Sequence, residues 1–308
     1  MLGTALLAAS RSPRVRTLVT TAPVTRRQVN RFIAGDDVAA ALDATRRLAA
    51  RGLTVTMDHL GEGTVERRQA ESTRDAYLTL LGLLDEQQLA GSAEASLKLS
   101  ALGQALPGDG EKIALDNARQ ICAAAARAGT TVTLDMEDHT TVDSTLGILR
   151  ELRADFPWVG VAIQSALYRT EADCRDLATA GSRVRLVKGA YAEPSSVAHA
   201  AKSDVDAAYE RCLAILMAGQ GYPMVGSHDQ RMIDAAKRLA AEHGKAADAF
   251  EFQMLYGIRT SAQEQLRAEG FRMRVYLPYG VDWYGYFMRR LAERPANVGF
   301  LLRSLFSK

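Results

Sequence analysis

A chain of 308 residues is long for one ordinary domain but fits a single (β/α)8 barrel with additions. Apolar residues make up 47% and charged residues 24%, and 38 basic against 36 acidic side chains leave a net charge of +2, so bulk charge points to no nucleic-acid surface. Cys122, Cys174 and Cys212 lie far apart, in expected helices, without CxxC or Cys/His ligand spacing, which argues against a structural zinc or a disulfide framework. No apolar run approaches the ~20 residues of a membrane-spanning helix.

Residues 1–35 carry Arg11, Arg14, Arg16, Arg26, Arg27 and Arg31 and no acid, which imitates a transit peptide. The stronger reading makes residues 1–52 a helical segment packed on a barrel of residues 53–308. It has two helices, Val24–Ile33 and Asp37–Ala50, the second with Asp36 as N-cap and Gly52, after Arg51, as C-cap. Beyond it come eight short β-branched-rich runs: Leu53–Gly61, Ala95–Gly103, Thr131–Asp138, Val159–Tyr168, Arg183–Tyr191, Pro223–Asp229, Phe250–Gly257 and Met273–Gly280. Helix-length stretches separate them, such as Asn117–Gly129 and Asp229–Gly244. Strand and helix alternating eight times with right-handed crossovers close into a parallel barrel. Leu106–Glu111 reads as a flexible loop, and Pro194 should turn the chain after the fifth strand.

Barrel chemistry sits at the strand C-terminal ends. Asp58, His59, Lys98, Asp135, Gln164, Arg185, Lys188, His228, Gln253 and Tyr276 are therefore the first candidates. On the fifth strand, alternation places Arg183, Arg185 and Val187 on one side, and a barrel interior rarely hosts arginine without an anion, a carboxylate or an electron-rich cofactor. Gly189 lets backbone approach a ligand, and Lys188 is either a second cation or a Schiff-base nucleophile. Asp135, Glu137 and Asp138 crowd the end of the third strand. Asp138 suits a helix cap, Asp135 faces the mouth, and Lys98 points a charge into the same space. Gly61-Glu62-Gly63 is a poor dinucleotide fingerprint, because Glu66 stands where the third glycine belongs.

After the eighth strand, Val281–Arg294 reads as an aromatic-rich helix ended by Pro295, with Val298–Phe306 as a last amphipathic stretch. Tyr286, Arg289, Arg290 and Glu293 fall at i, i+3, i+4 and i+7, on one polar face. Either that face is solvated or it turns toward the barrel mouth.

Several of these segments resemble the proline dehydrogenase family: Arg-Leu-Val-Lys-Gly-Ala-Tyr at 185–191, Ser-His-Asp at 227–229, Glu-Phe-Gln-Met-Leu-Tyr-Gly at 251–257, and Tyr-Leu-Pro-Tyr-Gly at 276–280 followed by Tyr-Phe-Met-Arg-Arg through 290. The likeness covers nearly the whole chain, Arg11-Ser-Pro-Arg14 and Arg31-Phe-Ile-Ala-Gly35 included. It is to the short monofunctional bacterial form, without the aldehyde dehydrogenase domain of the fused enzymes. The resemblance implies an α/β fold: a distorted (βα)8 TIM-like barrel with the eighth helix over the strand C-terminal ends, plus N-terminal helices. It further implies noncovalent FAD held without a Rossmann fold, no metal, and oxidation of L-proline to Δ1-pyrroline-5-carboxylate, with electrons passed to a membrane quinone.

Carried over by motif, Asp135 and Arg185 would be catalytic, Arg185 beside flavin N5 and Asp135 holding the Lys98 side of the site. Arg289, Arg290 and Lys98 would take the proline carboxylate, while Leu186, Tyr276 and Tyr286 would pack on its ring. FAD would be held by Met136, Gln164, Arg185, Val187, Lys188, Gly189, Ala190, Gly226, Ser227, His228 and Glu293. Tyr191 would shape the pocket floor and Glu62 would act as a lid residue. The implied partners are L-proline, the quinone and, transiently, pyrroline-5-carboxylate dehydrogenase, with no nucleic acid. The expected location is the cytoplasm, with room for peripheral contact at the inner face of the membrane. Two rivals stand beside this reading: a Schiff-base lyase or aldolase using Lys188 or Lys98, and a non-catalytic sensor of proline or flavin.

Overall fold

The computed structural model describes Thr17, Val19, residues 28–61 and residues 63–293, the side chains of the last two excepted. Eight parallel strands close a barrel in chain order: β1 Thr54–His59, β2 Ala93–Leu97, β3 Val132–Leu134, β4 Gly160–Gln164, β5 Arg183–Val187, β6 Tyr222–Gly226, β7 Glu251–Leu255 and β8 Arg272–Tyr279. β1 completes the ring, pairing Val55 with Ala93 on one side and with Val275 on the other. The helix α1 (Val38–Ala49) precedes β1. Between the strands run α2 (Arg67–Glu86), α3 (Gly110–Ala128), α4 (Val142–Asp155), α5 (Thr170–Leu177), α6 (Lys202–Ala218), α7 (Gln230–Glu242) and α8 (Thr260–Ala268), and α9 (Trp283–Glu293) follows β8.

The outer ring is an ordinary apolar layer. On α2, Ala70, Tyr77, Leu80, Leu81 and Leu84 form a buried stripe at helical spacing. Each such leucine contributes about 1.5–3 kcal/mol of transfer free energy. Tyr77 also ties two strands together, donating to Ser96 O (2.6 Å) and accepting from the His59 N–H (3.2 Å). Cys122, Cys174 and Cys212 lie buried in α3, α5 and α6.

The barrel interior is different. The usual filling is branched apolar side chains, whereas here the inward positions carry charge in two layers. Toward the strand N-terminal ends, Arg183 Nη2 meets Glu94 Oε2 at 2.7 Å and Arg274 Nε meets Glu251 Oε1 at 2.7 Å. Thr56 and Thr131 donate to the Glu94 carboxylate at 2.8 and 2.6 Å. Burial alone would raise the Glu94 carboxyl, but the charges of Arg183, Arg274 and Arg185 outweigh it and hold it below the usual carboxylate range. The second layer, at the C-terminal ends, is Asp58, Lys98, Asp135 and Arg185. Four acids thus face four bases inside the barrel.

Several boundaries differ from those the sequence predicts. Most strands are shorter than their apolar runs, because the polar strand ends leave the ladder; Asp135 sits one residue beyond β3, and its N–H still bonds Leu97 O at 2.8 Å. β2 begins two residues early, at Ala93. Leu99–Gly103 is a short turn instead. The end of the expected Leu106–Glu111 loop is already helix, since α3 starts at Gly110, where a Cβ would lie 2.6 Å from Gln104 O. The α1 N-cap is Asp37, not Asp36: its carboxylate accepts from the Ala40 N–H at 2.8 Å. Gly52 closes α1 as expected, with φ 74° and with Leu53 N–H reaching Leu48 O at 3.1 Å. The Val24–Ile33 helix is described only from residue 28, as a closing turn with Ile33 N–H on Val29 O at 2.9 Å. The 298–306 stretch lies outside the described residues.

Candidate active site

The strand C-terminal ends open into a cavity of about 450 Å³. Its base is Asp58, Lys98, Asp135, Arg185 and Tyr276, and α9 adds Tyr286, Arg289 and Arg290. The polar face of α9 is therefore turned to the mouth. Its opposite face explains why: Trp283, Phe287, Met288 and Leu291 are buried in a second apolar cluster with Phe32, Ile33, Leu60 and Ile258. Phe32 and Phe287 rings sit 6.4 Å apart. The segment before α1 thus holds α9, and two backbone bonds fasten that segment to the barrel, Ala34 N–H to Pro278 O and Gly280 N–H to Gly35 O, both 2.9 Å.

Asp135 is the hub. Its Oδ1 accepts from Arg185 Nη1 (2.5 Å) and Ser96 Oγ (2.8 Å), and its Oδ2 accepts from the Tyr276 hydroxyl (2.6 Å). Burial, then the Asp135 charge, push the Tyr276 hydroxyl well above its ordinary range, so the phenol stays a neutral donor. Arg185 is fixed on a second side by Gln253 Oε1 at 2.6 Å, and its guanidinium lies 5.3 Å from the Tyr276 ring centre. Lys98 is held chiefly by Asp58, 2.7 Å from both oxygens, and lies 3.8 Å from Asp135. Asp135 therefore anchors Arg185 and Tyr276 more directly than Lys98.

Along one wall run Val187, Lys188, Gly189, Ala190 and Tyr191 after β5, and Gly226, Ser227 and His228 after β6, with Met136 nearby. Lys188 donates to Asp206 (2.5 Å) and Asp229 (2.6 Å). His228 Nε2 accepts from the Leu255 N–H at 2.9 Å. Gln164 lies beside the cavity: its amide donates to Glu137 O, and a Cβ on Gly189 (φ 116°) would come 3.0 Å from its Oε1. Asp138 caps the next turn, accepting from the Thr140 N–H at 2.9 Å.

One expected substrate contact is misplaced. Leu186 does not line the cavity; it is fully buried in the apolar layer between sheet and helices. Alternation along β5 forces this, since Arg185 and Val187 point inward and Leu186 points out. Met254 and Leu255 of β7 offer apolar surface in its stead. Glu62 and the Glu293 side chain lie outside the described residues. Asp58, Ser96 and Gln253 are site residues that the motif comparison passes over, although Asp58 and Gln253 stand at strand ends. The signal for Ser96 is the period-two pattern Glu94, Ser96, Lys98. Among the described residues no cluster of His, Cys, Asp or Glu could hold a metal, and no helix is long and apolar enough to cross a membrane.

A closed (βα)8 barrel with guanidinium groups over and under a half-enclosed cavity defines a barrel of the enzyme type, built for a small ligand bearing an anionic group. The chain belongs to the proline dehydrogenase family: the family model described as proline dehydrogenase matches residues 41–303. It is 41% identical over 278 residues to proline dehydrogenase 2 of Bacillus subtilis, covering 90% of each chain, and 43% identical over 278 residues to a proline dehydrogenase of Deinococcus radiodurans, covering 89% of each. Among solved structures, proline utilization A from Bdellovibrio bacteriovorus, inactivated by N-propargylglycine, superposes with a TM-score of 0.81 at 26% identity. That match covers 92% of this chain but 34% of the longer one.

Proposed function

We propose that this protein oxidises L-proline to Δ1-pyrroline-5-carboxylate with a noncovalent FAD and passes the electrons to a membrane quinone. The observation that carries the reading is the Arg289–Arg290 pair held over a cavity floored by Arg185, Asp135 and Tyr276.

The residues present fit a flavin. The cavity joins apolar surface, from Met136, Ala162, Val187, Met254 and Leu255, to fixed cations. Two adjacent strand ends carry glycines, Gly189 and Gly226, where a Cβ would crowd Gln164 and Val187. When bound there, FAD supplies the two-electron acceptor for hydride from the carbon next to the proline nitrogen. Arg185, locked by Asp135 and Gln253, is a preorganised cation for the negative charge that develops beside it. Residues 187–190 and 226–228 would hold the cofactor along the wall, with Gln164 beside them.

Arg289 and Arg290 grip the proline carboxylate with planar, charge-assisted forks, assisted by Lys98. Tyr276 and Tyr286 close on the ring, while Tyr191, exposed at the end of the wall after β5, borders the pocket and does not form its floor. Holding ring and acceptor in one orientation supplies much of the rate. The Schiff-base alternative is disfavoured because both candidate amines are committed, Lys98 to Asp58 and Lys188 to Asp206 and Asp229.

The deciding experiment is the visible spectrum of the purified protein before and after L-proline without oxygen. A yellow protein that bleaches, and that releases its flavin on acid denaturation, is expected. A colourless protein, or a yellow one that proline never bleaches, would refute the reading.

A further inference from the structure

Arg185 reaches the lower charged layer directly, 3.8 Å from Glu94, and by hydrogen bonds through one neutral side chain. Gln253 Oε1 accepts from Arg185 Nε at 2.6 Å, while Gln253 Nε2 donates to Glu251 Oε1, also at 2.6 Å. Glu251 is itself immobile, held by Arg274 Nε at 2.7 Å, Arg274 Nη2 at 3.2 Å and the Tyr222 hydroxyl at 3.2 Å. The amide can face only one way: reversed, it would set donor against donor at Arg185 and acceptor against acceptor at Glu251. Gln253 is 4% exposed, so water offers no substitute.

We propose that Gln253 is a positioning residue for the reaction, a neutral splint that fixes the Arg185 guanidinium against the barrel foundation without cancelling its charge. The charge count supports neutrality at this position. Asp58, Glu94, Asp135 and Glu251 already balance Lys98, Arg183, Arg185 and Arg274. A carboxylate at 253 would add a fifth acid within hydrogen-bond reach of Glu251 and draw Arg185 into a third ion pair, beside those with Asp135 at 2.5 Å and Glu94 at 3.8 Å. An apolar residue would leave the buried Nε without an acceptor, and the guanidinium would lose one of its two anchoring directions.

This rests on the reading of Arg185 as the cation beside the flavin. Gln253→Met keeps the length of the side chain and removes both hydrogen bonds. The expected result is a folded yellow protein whose bleaching by proline is slowed about tenfold, roughly the effect of one lost hydrogen bond to a charged group. Its flavin reduction potential falls below wild type, and its affinity for a proline analogue stays within about twofold. Should Gln253→Met fail to fold, Gln253→Asn carries the test, since it stays polar but withdraws the acceptor by one carbon; the same slowing and the same fall in potential are expected. Arg185→Met, measured alongside, separates the two ideas. If Arg185→Met lowers rate and potential while the Gln253 variant leaves both unchanged, the splint is refuted and the reading of Arg185 stands. If Arg185→Met leaves the potential unchanged, that reading falls and the splint falls with it.

Discussion

Lys98 and Asp58 form a two-pronged pair at the floor of the cavity, Nζ lying 2.7 Å from each carboxylate oxygen, with side chains 9% and 1% exposed. For a cation at this depth β1 supplies the nearest counter-charge, with Asp135 at 3.8 Å as a second. The pair also ties together the C-terminal ends of the neighbouring strands β1 and β2.

Breaking a buried ion pair from one side leaves an uncompensated charge and costs about 3–5 kcal/mol. Asp58→Ala is expected to lower unfolding free energy by that order and to reduce kcat/KM for proline. Urea unfolding of the pure protein checks the first part. A variant as stable as wild type would mean that the Lys98 charge finds another partner.

On the proposed reading the arginines of α9 serve the substrate. Losing one charge-assisted contact costs about 2–3 kcal/mol, or roughly 30–150-fold. Arg289→Ala and Arg290→Ala should each weaken kcat/KM for proline by about that factor and leave the flavin spectrum nearly unchanged. Wild-type kinetics in both variants would remove α9 from the site.

Acid should loosen the β5–β6 side of the barrel. Asp229 is held below its ordinary value of 3.8 first by the hydrogen bond from Lys188; at Asp206 burial pushes upward, but the hydrogen bonds from Lys188 and Lys202 outweigh it. Groups with a lowered folded-state pKa contribute stability that is fully present above the ordinary value and lost as pH falls through the folded one. The urea midpoint should accordingly fall as pH drops below about 4. In Lys188→Met that acid dependence should be weaker, and equal pH slopes for the two proteins would contradict the assignment.

Gly257 connects the N-terminal segment to the site. Its φ is 72°, and a Cβ there would overlap the carbonyl oxygen of Arg31. Gly257→Ala should cost about 1–3 kcal/mol from backbone strain alone, and more from pushing residues 28–35 off the barrel. Because Phe32 and Ile33 back the apolar face of α9, proline kcat/KM should fall as well. Limited proteolysis read by mass spectrometry would locate the loosened segment, and unchanged cleavage there would sink the idea.

The barrel is legible in the pattern of the chain. Eight apolar runs separated by helix-length stretches leave little choice of topology once crossovers must be right-handed, and the polar ends of those runs mark where the cavity opens. The sequence also placed Tyr286, Arg289 and Arg290 on one helical face, since that follows from 3.6 residues per turn alone. Whether that face met solvent or the mouth was decided by the tertiary structure. Phe287 and Leu291 had to be buried somewhere, and the cluster of Phe32, Ile33, Leu60 and Ile258 lay on the side away from the cavity.

Leu186 failed for a related reason: motif position says a residue is near the site, while the pleat of β5 says which way it points. Pairings across the barrel were the least legible part. Asp58 with Lys98, and Gln253 with Arg185, join residues 40 and 68 positions apart. No local pattern encodes those contacts, because closure of the barrel brings the strands together and the low-dielectric interior then requires every charge to find its partner.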